Sequence, residues 1–146
     1  MFICGIMAMM TVPIGAEAKS LKNPRPNIIV IMPDDIGYGD IASLGNPVVQ
    51  TPNLDSLKRE SLLFTQYHVS ARCSPSRAVL MGGRHEFMSG VTHTQHGRER
   101  LSLDTVTLPQ VLQSAGYTTG HFGKWHIGRE KPYRPENRGF DESYGI

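Results

Sequence analysis

Three short clusters hold the side chains in this sequence that could do chemistry. The first is Cys73-Ser74-Pro75-Ser76-Arg77, which is followed by the apolar run Ala78-Val79-Leu80-Met81. Pro75 suits the first turn of a helix, where a missing N–H costs nothing, and the apolar run can dock that helix on a core. A thiol at the helix start sits among unpaired backbone N–H groups, in a field that favours negative charge. Arg77, one turn further in, can reach back to the same place. Together they could hold an anion and react with it, although a buried structural cysteine beside an ordinary helix start fits the same five residues.

The second cluster is Asp34-Asp35, just after the continuous apolar run Asn27-Ile28-Ile29-Val30-Ile31-Met32. Such a β-branched run is expected of a central parallel strand covered on both faces. Carboxylates at its carboxyl end lie where open α/β sheets place their ligands. Successive side chains diverge along an extended chain, so a shared hard cation such as Ca²⁺ or Mg²⁺ would be needed to draw both inward. A simple turn capped by Asp34 and Asp35 is the competing reading. The third cluster is Lys124-Trp125-His126, which closes the stretch Tyr117 to Gly123. Lys124 and His126 are two residues apart and, in extended backbone, project to one face. A surface lysine and a histidine packed on Trp125 would also satisfy that pattern.

The elements between these clusters alternate in type. Thr51-Pro52-Asn53-Leu54-Asp55-Ser56-Leu57 predicts a helix capped by Thr51 with Leu54 and Leu57 on its buried side. Ser61 to Val69 predicts a second strand leading into the Cys73 helix, and Tyr117 to Gly123 a third. Thr107-Leu108-Pro109 opens another capped helix, with Val111 and Leu112 toward the core and Gly116 at its C′ position. Gly82 to Arg100 is polar and loop-like. Its His93-x-x-His96 spacing invites a metal reading, but no acid or cysteine stands at ligand spacing, so a solvated loop is expected. Lys131 to Arg138 is a Pro-rich connector. The fold class expected is α/β, a partial doubly wound and mostly parallel sheet with flanking helices, and all three clusters fall on one edge of that sheet.

The chain has 146 residues, 39% hydrophobic and 19% charged, which is the size and balance of one globular domain. Residues 1–18 differ in kind: an apolar, uncharged run ends in Ala16-Glu17-Ala18, as a secretory signal peptide does. The run is too short for a stable membrane span. Export to a periplasm or the extracellular space is expected, with 19–26 as a polar lead-in to the globular portion, 27–146. Removing 1–18 deletes one acid and no base, raising the net charge from +2 to +3. The bases form no dense run, so nucleic acid is not an expected partner. Cys73 becomes the sole cysteine once Cys4 is removed, which excludes an intramolecular disulfide. A dication, an anion-binding helix start, a nucleophile and a base would together suit hydrolysis of a sulfate or phosphate ester.

Cys73-Ser74-Pro75-Ser76-Arg77 resembles the sulfatase signature Cys-x-Pro-Ser-Arg, of the alkaline-phosphatase-like superfamily. Asn27 to Asp40 is similar to that family's opening strand and its Asp-Asp-x-Gly-Tyr-Gly-Asp. Thr51-Pro52-Asn53-Leu54-Asp55, Thr107-Leu108-Pro109, Gly116-Tyr117 through Gly123-Lys124-Trp125-His126-Ile127-Gly128, and Gly139-Phe140-Asp141 follow in the family's order. The resemblance implies a sulfuric ester hydrolase acting on a small aryl or carbohydrate sulfate. It implies that a maturation enzyme oxidises Cys73 to formylglycine, whose hydrated aldehyde is the nucleophile. It further implies that Asp34 and Asp35 ligate Ca²⁺, with Mg²⁺ as the alternative, and that residue 73 also touches the ion. Arg77 would hold the formylglycine, a role suited to its fixed fork. Lys124 would bind sulfate and the nucleophile, and His126 would be the base in elimination.

The sequence departs from the family in two places. Met32-Pro33 stands where a small residue is common. The family's remaining Ca²⁺ ligands, its leaving-group histidine and a second sulfate-binding lysine have no counterpart here. An N-terminal portion of a sulfatase, essentially inactive by itself, is therefore expected. The other readings kept open are a phosphomonoester or phosphonate hydrolase of the same fold, and an inactive exported fragment.

Overall fold

The computed structural model describes residues 25–145; the expected signal peptide and most of the lead-in lie outside them. The described residues form four α-helices and two short strands: α1 (Pro52–Glu60), α2 (Cys73–Gly82), α3 (Glu86–Ser89), α4 (Leu108–Ser114), β1 (Gly120–Phe122) and β2 (Glu142–Tyr144). The helix starts follow from local chemistry. Pro52 and Pro109 occupy first-turn positions, and the Gln110 side chain accepts from the Thr107 N–H at 2.9 Å. Thr51 stands at the N-cap of α1, but its hydroxyl donates to Asp55 at 2.9 Å and accepts from the Ala42 N–H at 3.0 Å. Gly116, with φ +81°, takes the left-handed position after α4, as the sequence predicts.

β1 and β2 pair in parallel, Gly120 opposite Glu142 and Phe122 opposite Tyr144. Parallel neighbours need a long crossover, and the segment between them carries Lys124-Trp125-His126 and the Pro-rich connector. That connector contains a 3₁₀ turn at Pro135–Asn137. The core is Ala78 from α2 with Val91, Leu101, Trp125 and Ile127, and Met81 and Phe140 pack against it. Trp125 meets Phe140 edge-on at 5.9 Å and His121 edge-on at 5.2 Å.

Several expectations are corrected. Residues 25–32, described by themselves, form no regular element: Asn27–Met32 is not a strand, and Ile29 and Ile31 are 84% and 78% exposed. Ser61 to Val69 is likewise irregular, with Leu62, Phe64, Tyr67 and Val69 exposed. A strand exists only where its N–H and C=O groups find a neighbour, and neither stretch pairs with a described strand. The third expected strand is confined to Gly120–Phe122 for the same reason, because only those residues face β2. Leu54, Leu57 and Val111, expected in the core, are exposed because no described element covers them. Gly82 to Arg100 is not wholly loop, since it contains α3.

A buried arginine, unforeseen from sequence, fastens the connector. Arg138 is 3% exposed and donates to the carbonyls of Ser102 (3.0 Å), Leu103 (3.3 Å) and Thr105 (2.7 Å). Its own carbonyl accepts from the Thr107 hydroxyl at 2.6 Å. Burial pulls its pKa below the usual arginine range. Arg138→Leu would strand these carbonyls without a donor, and is expected to cost on the order of 3 kcal/mol in chemical unfolding. An unchanged midpoint would show that the carbonyls find other partners.

Candidate active site

Cys73 is the first residue of α2, after Arg72 in extended backbone at the N-cap. Ser76, one turn on, is buried and donates its hydroxyl to the carbonyl of Ser70 or of Arg72, each at 2.9 Å, which ties the helix start to the incoming loop. The Cys73 thiol is half-buried and lies 3.4 Å from Nδ1 of His126. The other ring nitrogen, Nε2, is 2.9 Å from the Thr94 carbonyl. A carbonyl only accepts, so Nε2 carries the proton and donates to Thr94. That leaves the Nδ1 lone pair facing residue 73. An imidazole so placed can take a proton from whatever group residue 73 presents.

Arg77 ties three parts of the site together. Its guanidinium donates through Nη1 to the Lys124 carbonyl and through Nη2 to Asp34 Oδ1 at 3.4 Å. Asp34 Oδ2 accepts from the Lys124 ammonium at 2.6 Å. The Lys124 hydrogen bond holds the Asp34 carboxyl below its usual pKa and, reciprocally, Asp34 raises that of Lys124. Both side chains are more than a third exposed, so solvent screens the pair. The structure thus brings Cys73, Arg77, Lys124, His126 and Asp34 together. Asp35 has a left-handed backbone (φ +55°), is exposed, and makes no hydrogen bond among the described residues.

Lys124 and His126 do line one cavity, of about 850 Å³, but not by simple strand alternation. His126 has φ +59°, so the chain turns there after leaving β1. Trp125 between them is 5% exposed and donates its indole N–H to the Tyr133 carbonyl at 2.9 Å. Gly128 (φ +123°) lets the returning loop close, because a Cβ there would fall 2.2 Å from that of Tyr133.

Sequence reasoning missed His121, Thr94 and the partner of His93. His121 lines the same cavity and meets Trp125 edge-on, and burial lowers its pKa. A titratable ring inside the short run Gly120-His121-Phe122 was the available signal. Thr94 acts through its backbone and left no signal. His93 accepts from Arg72 at 3.0 Å, while His96 is exposed.

Adjacent carboxylates are hard oxygen donors of the kind Ca²⁺ and Mg²⁺ take. Asp34 and Asp35 fit a dication in kind and supply only part of the 6–8 oxygens that Ca²⁺ uses. Among the described residues no group of three or more His, Cys, Asp or Glu side chains is gathered as a metal site.

Residues 26–146 match the sulfatase family profile. Arylsulfatase G of Canis lupus familiaris is 44% identical over 130 residues, covering 86% of this chain and 24% of that protein. Arylsulfatase A of Bos taurus is 41% identical over 145 residues, covering 95% of this chain and 29% of that protein. The crystal structure of Ps i-CgsB is similar at TM-score 0.77 and 37% identity, over 84% of this chain and 28% of that one. The PsFucS1 sulfatase from Pseudoalteromonas sp. is similar at TM-score 0.66 and 32% identity, over 77% of this chain and 24% of that one. The chain thus spans about a quarter of the length of the curated relatives it matches.

Asp34→Asn is expected to lower the Lys124 pKa toward its ordinary value in an NMR titration. A depressed carboxyl stabilises the fold above its unfolded pKa and loses that contribution as pH falls through the folded value. The acid-side loss attributable to Asp34 should therefore vanish in the variant and shrink in high salt. An unmoved Lys124 titration would contradict the pair.

Proposed function

Because this chain belongs to the sulfatase family, we propose that it supplies the nucleophile side of a sulfuric ester hydrolase active site. The observation that carries this reading is the facing pair of Cys73 Sγ and His126 Nδ1, with the imidazole tautomer set by the Thr94 carbonyl. The family generally uses formylglycine and a divalent cation. Here the residue converted would be Cys73, by a maturation enzyme, and the cation would be Ca²⁺ held in part by Asp34 and Asp35 with residue 73. Once modified and hydrated, residue 73 supplies a hydroxyl to attack sulfur and release the alcohol, and a second hydroxyl whose deprotonation expels sulfate and restores the aldehyde.

Each of the chain's own groups has a derived task. The Nδ1 lone pair of His126 takes the proton from the second hydroxyl. Its orientation costs nothing at the moment of reaction, because the Thr94 carbonyl already fixes the ring. Lys124 presents a cation beside residue 73, where the sulfate charge would lie. Arg77 holds the Lys124 carbonyl and Asp34, and so keeps α2 and the strand exit in register. The helix start adds backbone N–H groups that favour an anion at Cys73. Substrates would be aryl or carbohydrate sulfates, met outside the cytoplasm if residues 1–18 act as a signal peptide. Among the described residues no helix is long and apolar enough to cross a membrane.

The isolated 146 residues should be essentially inactive. The carboxylates supply only part of a Ca²⁺ shell, and much apolar surface, including Leu54, Leu57 and Phe64, is uncovered. Clear turnover of an aryl sulfate by this chain alone would refute that. In a complete protein carrying the chain, His126→Ala is expected to lower kcat by about 10²–10⁴, and Cys73→Ala to abolish turnover with the fold retained. Mass spectrometry of the Cys73 peptide from the native host should show an aldehyde, and an unmodified thiol sinks the formylglycine reading. Paired aryl sulfate and aryl phosphate assays separate sulfatase from phosphatase chemistry, the sulfate being the expected substrate.

A further inference from the structure

The cavity that holds Lys124 and His126 continues well past them. It is also lined by Arg129, by Arg134 and Glu136 from the connector, and by Ser143 of β2. At about 850 Å³ it exceeds what one sulfate group needs, and falls in the range of sites for whole small-molecule ligands. Its charges are uneven. Lys124 is engaged by Asp34 at 2.6 Å. Glu136 is the acid in the lining, and it is shared loosely, 4.0 Å from Arg134 Nη1 and 3.5 Å from the Ser143 hydroxyl. Arg129 makes no side-chain hydrogen bond or ion pair among the described residues. Besides Lys124, the lining therefore carries two guanidinium groups against one carboxylate.

The backbone that carries the two arginines is tied to itself and to the core. Arg134 donates through Nε to the Arg129 carbonyl at 2.9 Å, which brings the two ends of the loop together. The loop closes on Gly128, where the approach of Tyr133 admits no side chain, and on the Trp125 indole through the Tyr133 carbonyl. The tryptophan that separates Lys124 from His126 thus also fixes the loop that presents Arg129 and Arg134. A guanidinium's planar fork suits a planar carboxylate or an oxygen face of sulfate. We propose that the substrate carries a second oxyanion, sulfate or carboxylate, besides the ester sulfate, and that Arg129 and Arg134 bind it. This rests on the sulfatase reading for the identity of the reacting group, but the groove's preference for a dianion can be read without turnover.

The test uses the complete protein carrying this chain, with Arg129→Gln, Arg129→Lys and Arg134→Gln variants. Substrates are an aryl monosulfate, a disulfated disaccharide, and a disaccharide bearing one sulfate and one uronate carboxylate. Arg129→Gln is expected to raise KM for one or both disaccharides about five- to tenfold, with kcat and the aryl monosulfate constants unchanged. The disaccharide that loses more identifies the second oxyanion as sulfate or carboxylate. Arg129→Lys should restore part of the loss, and added salt should narrow the difference between wild type and variant. Equal losses on all three substrates, or none on either disaccharide, would overturn the assignment. Arg134→Gln should act in the same direction; because Arg134 also braces the loop, Arg129 decides. Binding is read separately by titration calorimetry with a naphthalene disulfonate and a naphthalene monosulfonate, which are not hydrolysed. A preference for the disulfonate that Arg129→Gln removes supports the proposal, and equal wild-type affinities refute it. No turnover of any sulfate, with that preference intact, would sink the sulfatase reading and leave the groove assignment standing.

Discussion

The burial of Trp125 is the constraint on which the rest of the structure depends. Its ring packs with Ala78, Val91, Leu101 and Ile127, and meets Phe140 and His121 edge-on. Its one polar atom is satisfied by the Tyr133 carbonyl, so the indole enters the core without an orphaned donor. Because the residue on either side is chemically competent, seating this ring also sets where an ammonium and an imidazole emerge. Packing and reactivity are therefore coupled within three consecutive residues. A loss of fit at Trp125 would reach the thiol through His126 and the carboxylate through Lys124.

Charge at the site is arranged as a contest of two cations for one carboxylate, that of Asp34. Asp34 faces Arg77 and Lys124 at once, and both cations oppose its protonation. A dication drawn to Asp34 and Asp35 would compete for the oxygens that these side chains hold. The same exchange would free the Lys124 ammonium for an arriving anion. Under the proposed function, metal loading and anion binding would thus be linked electrostatically through a single carboxylate, and both would weaken with ionic strength where the groups are exposed.

Local features of this fold are legible in the sequence, and non-local ones are not. Helix starts at Pro52, Cys73 and Leu108, and the left-handed Gly116, follow from signals within a few residues, chiefly Pro52, Pro75 and Pro109 in the first turns. Strand expectations at 27–32 and 61–69 failed because a strand is completed by a neighbour, which the apolar pattern does not supply. The sheet that does form is parallel, as expected, and the family relation and α/β class follow from the spaced motifs. Cys73, Arg77, Lys124 and Asp34 converge as the motifs suggest. His126 joins them through a left-handed backbone that no propensity foretells. Arg138 was invisible because its three partners are carbonyls, which every residue carries.

The thiol and its imidazole partner are 53 residues apart in the chain. On a ribosome adding about 5–20 residues per second, roughly 3–10 s separate their emergence. Through that interval residue 73 has no Nδ1 beside it, no Lys124 carbonyl to receive Arg77, and no indole to seat the strand exit. An enzyme that must reach the cysteine in a pliant segment would find it most accessible then. If residue 73 is modified as proposed, the long sequence separation of this contact would act as a timer, opening a period for covalent maturation before the site closes over the thiol.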